Sequence, residues 1–140
     1  MLDLPRGPEL LDTARRGLLE EILPALPPEQ AYTVRMIAKA MAIAARELEL
    51  GAGAARDGAR SIAEFLGEEG ATRIGAATSP AGAETAAGDR ADRAQALLAE
   101  CIRKRAIAPE REGQLRALLL QLTRAKLAVS NPKYLSRERA

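Results

Sequence analysis

The sequence contains no histidine, no tryptophan and a single cysteine. Histidine is the side chain that most often transfers protons near neutral pH, and it is the commonest nitrogen ligand of metals. Its absence excludes Ser-His-Asp, Cys-His and His-metal sites. The one cysteine, Cys101, has no second thiol in the chain with which to form a disulfide. Because Cys101 lies in an apolar stripe, we predict a buried structural thiol.

Aromatic residues and long hydrophobic runs are also scarce. The only aromatic residues are Tyr32, Phe65 and Tyr134, and the 47% apolar content comes mainly from Ala and Leu. Such a composition favours helix over strand. No run of about 18 apolar residues occurs, and the first five residues lack the basic and apolar regions of a signal peptide. We therefore expect a soluble, cytoplasmic, all-α protein that does not associate with membranes.

Charge is distributed unevenly along the chain, although the net charge is only +2. Residues 1–70 have a net charge of −4 and residues 71–140 a net charge of +6. This asymmetry indicates either a solvated surface or a face that binds anions. The cluster Arg103-Lys104-Arg105 is the candidate anion site, for the phosphate groups of a CoA-like ligand. Nucleic-acid binding is not expected, because no aromatic residues for base stacking are interleaved with the basic ones.

Apolar residues recur at intervals of three and four and predict a single compact bundle of about five helices over residues 1–140. The first helix begins near Pro8, with Glu9 at the positive end of its dipole, and the prolines Pro24, Pro27 and Pro28 end it. The second runs from Pro28 to Leu50. Gly51 is expected to supply a left-handed stop after it.

The remaining elements are a third helix over residues 54–66, a connection over residues 67–88 and two further helices. The connection is rich in Gly and Ala and lacks periodicity, which predicts a long flexible segment in the middle of the chain. Asp89 is a suitable N-cap for the fourth helix, which ends before Pro109. The fifth starts at Pro109 and stops near Asn131, because Pro132 disfavours helix in the residue before it.

Two acidic pairs have the spacing with which all-helical nucleotide pyrophosphatases hold Mg²⁺. They are Glu9 with Asp12, and Asp89 with Asp92. Both pairs fall at predicted helix N-termini, where capping and the helix dipole favour acids. We therefore expect no metal site and keep a magnesium-dependent nucleotide hydrolase only as a remote alternative.

Two segments have more distinctive sequences than the packing of a simple helical bundle requires. In Lys39–Gly51, Arg46 and Glu47 are charged residues in an otherwise apolar helix. In the second segment Lys126 is followed by Asn131, which can cap or turn the chain, and by Tyr134, which can anchor it. One reading is structural, a buried Arg–carboxylate pair with a C-terminal clamp. The other is a surface that binds a partner protein.

These segments, with the stretch from Leu10 to Leu26, resemble a family of small bacterial proteins of unknown function. Genes for that family lie beside, and are sometimes fused to, genes for aminoglycoside-phosphotransferase-like kinases, and acyl-CoA dehydrogenases often accompany them. The resemblance is strongest over Ala45–Leu48, Lys126–Val129 and Asn131–Leu135. The chain departs from the family at Lys39, where asparagine is usual, and across residues 67–88, which are longer and richer in Gly and Ala.

The resemblance implies a non-catalytic accessory subunit of a phosphotransferase-like kinase that acts on a hydroxyacyl-CoA in short-chain acid catabolism. The residues agree with this, because no nucleotide loop, metal cluster or positioned base is recognisable and no cofactor is expected. The alternative is a stand-alone module that binds acyl-CoA or a small anion between its helices. Ala40 and Ala44 would permit a close helix crossing, so a homo-oligomer remains open.

Overall fold

The computed structural model describes residues 5–75 and 83–137. All regular structure in these two ranges is helical, which confirms the all-α prediction. The helices are α1 (Gly7–Gly17), α2 (Pro28–Gly75), α3 (Ala83–Arg103), α4 (Glu112–Ser130) and α5 (Pro132–Arg137). None of them, over the described ranges, has an apolar stretch long enough to cross a membrane.

The chain divides into two compact units, Met1–Gly51 and Ala52–Ala140. We call them unit 1 and unit 2. Helix α2 contributes its first half to unit 1 and its second half to unit 2. The single domain over residues 1–140 stays a prediction.

Helix α1 begins as the sequence predicts. Pro8 lies in its first turn, and the Glu9 carboxylate accepts a hydrogen bond of 2.9 Å from the Arg6 backbone N–H. This bond satisfies one of the donors that a helix leaves unpaired at its start. The chain continues through a π-helical turn, Leu18–Ile22, and a 3₁₀ turn, Leu23–Ala25, before extending at Leu26.

The stop predicted at Gly51 is wrong, because α2 passes through both Gly51 and Gly53 without a break. Glycine ends a helix where the chain must adopt a left-handed conformation, but it also tolerates a helical backbone at a modest cost. The alanines around these two glycines favour helix and sustain the backbone ladder. Helix α2 is interrupted by a kink at Gly67, with φ 76° and ψ −166°, so it consists of two helical segments. The end predicted for the third helix at residue 66 is therefore confirmed.

The flexible connection predicted over residues 67–88 is wrong at both of its ends. Residues up to Gly75 belong to α2, residues from Ala83 onwards belong to α3, and residues 76–82 lie outside the described ranges. Ile74 and Ala87 are buried, so this segment contributes to the packing. Asp89 accordingly lies inside α3, and its predicted role as an N-cap is also wrong.

Unit 2 contains a contiguous hydrophobic core built by α2, α3 and α4. Ile62 and Ala94 are both 0% exposed and lie at its centre. The other buried members are Ala59, Phe65, Ile74, Ala91, Leu97, Leu98 and Leu118. The apolar stripe of α3 is buried from Ala91 to Leu98, whereas Ile102 near its end is 39% exposed.

Helix α4 ends at Asn131, as the sequence predicts, whereas the short helix α5 that follows it was not predicted. The Asn131 backbone N–H donates 2.8 Å to the Leu127 carbonyl and completes the last turn of α4. The Asn131 backbone, with φ −150° and ψ 67°, then leaves the helical region. Pro132 opens α5, where its missing N–H has no consequence because the first helical position lacks a helical acceptor.

Candidate functional site

The first half of α2 presents a broad apolar surface to solvent. Its members are Tyr32, Met36, Ile37, Ala40, Ala44 and Leu48, and we call it the apolar face. At 3.6 residues per turn these six positions fall within about half of the helix circumference. Tyr32 is 71% exposed and Leu48 is 62% exposed, although Leu48 Cδ1 also lies close to Gly7 of α1.

Unit 1 keeps few apolar side chains away from solvent. Among its described residues only Val34 and Ala38 are buried. Both lie on the side of α2 that points away from the apolar face. A helix that is apolar on more than one side is normally covered on each of them.

Glu47 is the charged candidate that belongs to the apolar face. Its position on α2 lies within the arc of that face, and its side chain is exposed. The carboxylate lies over Gly51, where an added Cβ would be 2.5 Å from Oε1. Arg46 lies about 100° further around the helix and is half-buried. Neither Arg46 nor Glu47 is buried. The buried Arg–carboxylate pair that the sequence analysis considered is therefore not formed by these two residues.

Unit 2 contains a cleft of about 330 Å³ between α2, α3 and the segment that leads into α4. Its apolar walls come from Phe65, Leu66, Leu97 and Ile107, with Cys101 beside them. The charged residues that line it are Glu69, Arg73, Glu100, Lys104 and Arg111. Cations therefore outnumber anions by three to two in the cleft.

Arg111 is held in the cleft by three contacts. Its guanidinium carbon lies 4.3 Å from the centroid of the Phe65 ring. Its Nη2 donates to the Phe65 carbonyl oxygen at 2.5 Å, and its Nε donates to Gln114 Oε1 at 3.3 Å. Stacking and hydrogen bonds together fix the plane of the guanidinium group.

Glu100 lies between two cations at the edge of the cleft. Lys104 Nζ is 2.6 Å from one carboxylate oxygen, and Arg73 Nη2 is 3.5 Å from the other. The hydrogen bond from Lys104 lowers the pKa of the Glu100 carboxyl, and the charges of Lys104 and Arg73 lower it further. This rim therefore already holds one anionic group.

The structure separates the three residues of the predicted anion cluster. Lys104 lines the cleft, whereas Arg103 and Arg105 are exposed at the end of α3. Arg105 has φ +52°. Its backbone N–H donates to the Ile102 carbonyl, and the Ala106 N–H donates to the Cys101 carbonyl. These two bonds form a Schellman motif with Arg105 in the position that glycine usually occupies.

The C-terminal candidates have different environments. Lys126 Nζ donates 3.1 Å to Gln95 Oε1 and links α4 to α3 beside a groove of about 200 Å³. Asn131 ends α4. Tyr134 is 52% exposed, so its ring is not buried as an anchor. Lys126, Asn131 and Tyr134 belong to unit 2, while Arg46 and Glu47 belong to unit 1.

The Glu9–Asp12 pair has a structural explanation, whereas Asp89 and Asp92 are exposed inside α3 and do not cap it. Glu9 caps α1, and Asp12 forms ion pairs of 3.0 Å with Arg15 and 3.5 Å with Arg16. In the part of the chain that the structure describes, no group of three acidic or cysteine side chains is placed to hold a metal ion. Cys101 is half-buried at the cleft, so the prediction of a buried thiol is wrong.

Sequence reasoning named Lys104 as a candidate but did not identify Arg111, Phe65 and Glu100 as its neighbours in one cleft. The spacing of Glu100 and Lys104, one helical turn apart, was a usable signal for their ion pair. Arg111 and Phe65 are 46 positions apart in the chain. No local pattern joins them, and only the packing of the turn before α4 against α2 brings them together.

The comparisons with known proteins give one family. The model of the Domain of unknown function (DUF6285) matches residues 24–134, which is most of the chain. No curated protein matches the sequence, and no solved structure matches it. The chain belongs to the DUF6285 family of domains of unknown function.

Proposed function

We propose that this protein is a non-catalytic subunit that binds a catalytic partner protein through the apolar face of unit 1. The observation that supports the proposal is the exposure of Tyr32, Met36, Ile37 and Leu48 on one side of α2. Contiguous apolar surfaces on a folded protein mark sites of protein–protein interaction.

The energetics favour a covered state of this face. Burying one large apolar side chain contributes about 1.5–3 kcal/mol. Covering the exposed parts of four such side chains therefore favours association and offsets part of its entropic cost. The alanines at positions 40 and 44 leave room in the middle of the face for a partner's helix to approach.

Glu47 gives the interaction its polar component. A single carboxylate within an apolar surface selects a partner that presents a cation at the matching position, and it disfavours partners that do not. This assigns a role in recognition to Glu47, whereas Arg46 is half-buried and lies outside the apolar face.

The partner that we propose is a phosphotransferase-like kinase that acts on a hydroxyacyl-CoA. This part of the proposal rests on the resemblance of Ala45–Leu48, Lys126–Val129 and Asn131–Leu135 to the proteins encoded beside such kinases. The absence of histidine from the sequence supports it, because a chain without the usual proton-transfer and metal-binding groups is suited to assist a partner's chemistry.

Co-expression with the kinase encoded beside this chain tests the proposal. We expect the two proteins to co-purify and the kinase to gain solubility or activity. Ile37→Glu and Leu48→Glu should each abolish co-purification, because they place a charge in the buried part of the interface. Leu120→Glu is the matched control, since Leu120 in α4 is 46% exposed and Ile37 is 47% exposed.

Two results would contradict the proposal. One is a kinase that neither co-purifies with the wild-type chain nor changes in solubility or activity. The other is equal loss of binding in Ile37→Glu and Leu120→Glu. This result would show that the apolar face has no specific role in binding the kinase. Light scattering on the isolated chain checks whether the face instead joins two copies of it.

A further inference from the structure

We propose that the cleft of unit 2 binds a small organic anion, a carboxylate or a phosphate monoester attached to a short apolar group. Arg111 and Lys104 bind the anionic group, and Phe65, Leu97 and Ile107 contact the apolar part. The inference is independent of the apolar face, because every residue that lines the cleft belongs to unit 2.

The volume of the cleft restricts its ligand. At about 330 Å³ it lies at the lower end of the range for small-molecule sites. A molecule of roughly ten heavy atoms fits such a volume, whereas a complete CoA does not. The mixture of apolar and charged lining residues is typical of sites that orient an amphiphilic ligand.

Arg111 is positioned for anion recognition before any ligand arrives. A guanidinium group has five N–H donors, and the contacts with Phe65 and Gln114 use two of them. Within the described part of the chain the other donors have no protein acceptor. Because the stacked ring and the two hydrogen bonds already fix the group, little side-chain entropy remains to be lost on binding.

Glu100 shows how the rim accommodates an anion. Its carboxylate takes the 2.6 Å contact with Lys104 and the longer, 3.5 Å contact with Arg73. A ligand carboxylate or phosphate that enters the cleft competes with Glu100 for these cations. Removing the Glu100 charge should therefore strengthen binding, and this expectation distinguishes a ligand site from a purely structural ion-pair cluster.

The single thiol provides a probe that reports from inside the cleft. Cys101 lines it and is the only cysteine in the sequence. Iodoacetate is an anion and iodoacetamide is neutral, but both react with the same thiolate. The ratio of their rates is therefore independent of the thiolate fraction and measures the local preference for anions.

We expect this rate ratio to exceed that of N-acetylcysteine amide by about threefold at low salt, because local positive charge concentrates anions. Glu100→Gln should raise the ratio, and Lys104→Gln should lower it towards that of the free thiol. Arg116→Gln is the control for loss of one positive charge, since Arg116 is exposed on α4 and does not line the cleft. It should leave the ratio unchanged.

Ligand protection completes the experiment. Hexanoate and hexyl phosphate should each slow the alkylation of Cys101 by iodoacetamide, and hexanol should not. The stronger protector of the two anions identifies whether the site prefers a carboxylate or a phosphate. Arg111→Lys keeps the charge but removes the bidentate group, and it should weaken protection severalfold.

Failure of both anions to protect Cys101 overturns the proposal, whatever the reagent ratio. Protection by hexanol equal to that by hexanoate also overturns it, because the cleft would then bind apolar molecules without using its cations. Protection that is unchanged in both Lys104→Gln and Arg111→Lys has the same meaning. Circular dichroism is the control for folding. The spectra of both variants should match that of the wild type.

Discussion

Arg105 adopts a backbone conformation that suits glycine better than arginine. Its φ of +52° places it in the left-handed region, where a Cβ crowds the following carbonyl oxygen. The Schellman bonds around it satisfy the last carbonyls of α3 and keep it there. The sequence contained no signal for this, because an Arg-Lys-Arg run predicts surface charge rather than a left-handed cap.

Replacing Arg105 by glycine should therefore stabilise the protein by about 0.5–1 kcal/mol. Arg103→Gly is the matched control, because it removes the same charge from the last regular turn of α3. It should destabilise by about 1 kcal/mol, the cost of glycine inside a helix. Chemical denaturation measures both values. A destabilised Arg105→Gly variant would show that the left-handed conformation is not populated.

Helix α2 shows how far the ends of helices can be predicted from the neighbouring sequence. The starts of α1 and α2 and the end of α4 are predictable, because prolines, Glu9 and Asn131 act on the backbone within a few residues. Gly51 is a permissive residue, and whether it ends a helix depends on whether the chain has to turn there. That requirement comes from tertiary packing, which no local window contains.

The continuity of α2 can be measured with alanine substitutions at its glycines. In the helical conformation Gly53→Ala should stabilise by roughly 0.5–1 kcal/mol, and nothing lies within 4 Å of the added methyl group. Gly51→Ala should also be stabilising or neutral, because the Glu47 carboxylate that it meets can rotate away. If Gly51 ended the helix in a left-handed conformation, Gly51→Ala would instead destabilise by about 1 kcal/mol.

At the scale of the whole molecule, the buried apolar residues are concentrated in unit 2. Unit 2 has the cluster around Ile62, whereas unit 1 has Val34 and Ala38 as its buried apolar residues in the described range. Hydrophobic periodicity predicts which helices are amphipathic, but it cannot tell an interior face from an interface, since both are apolar. The apolar face and the cleft therefore required the structure.

Amide hydrogen exchange should report this difference directly. In the isolated protein we expect amides of α1 to exchange orders of magnitude faster than those near Ile62 and Ala94, because few buried contacts oppose local opening there. Mass spectrometry of the exchanged peptides gives the comparison. Equal protection in both regions would mean that unit 1 is stable without a partner.

The two tyrosines allow the central claim to be tested in one measurement. Tyr32 lies in the apolar face, Tyr134 lies in α5 outside it, and both are exposed. Nitration with tetranitromethane, followed by mass spectrometry, gives the modification rate of each tyrosine with and without the kinase. We expect the kinase to slow nitration of Tyr32 severalfold and to leave Tyr134 unchanged. A Tyr32 rate that the bound kinase does not alter would contradict the assignment of the apolar face as the docking surface.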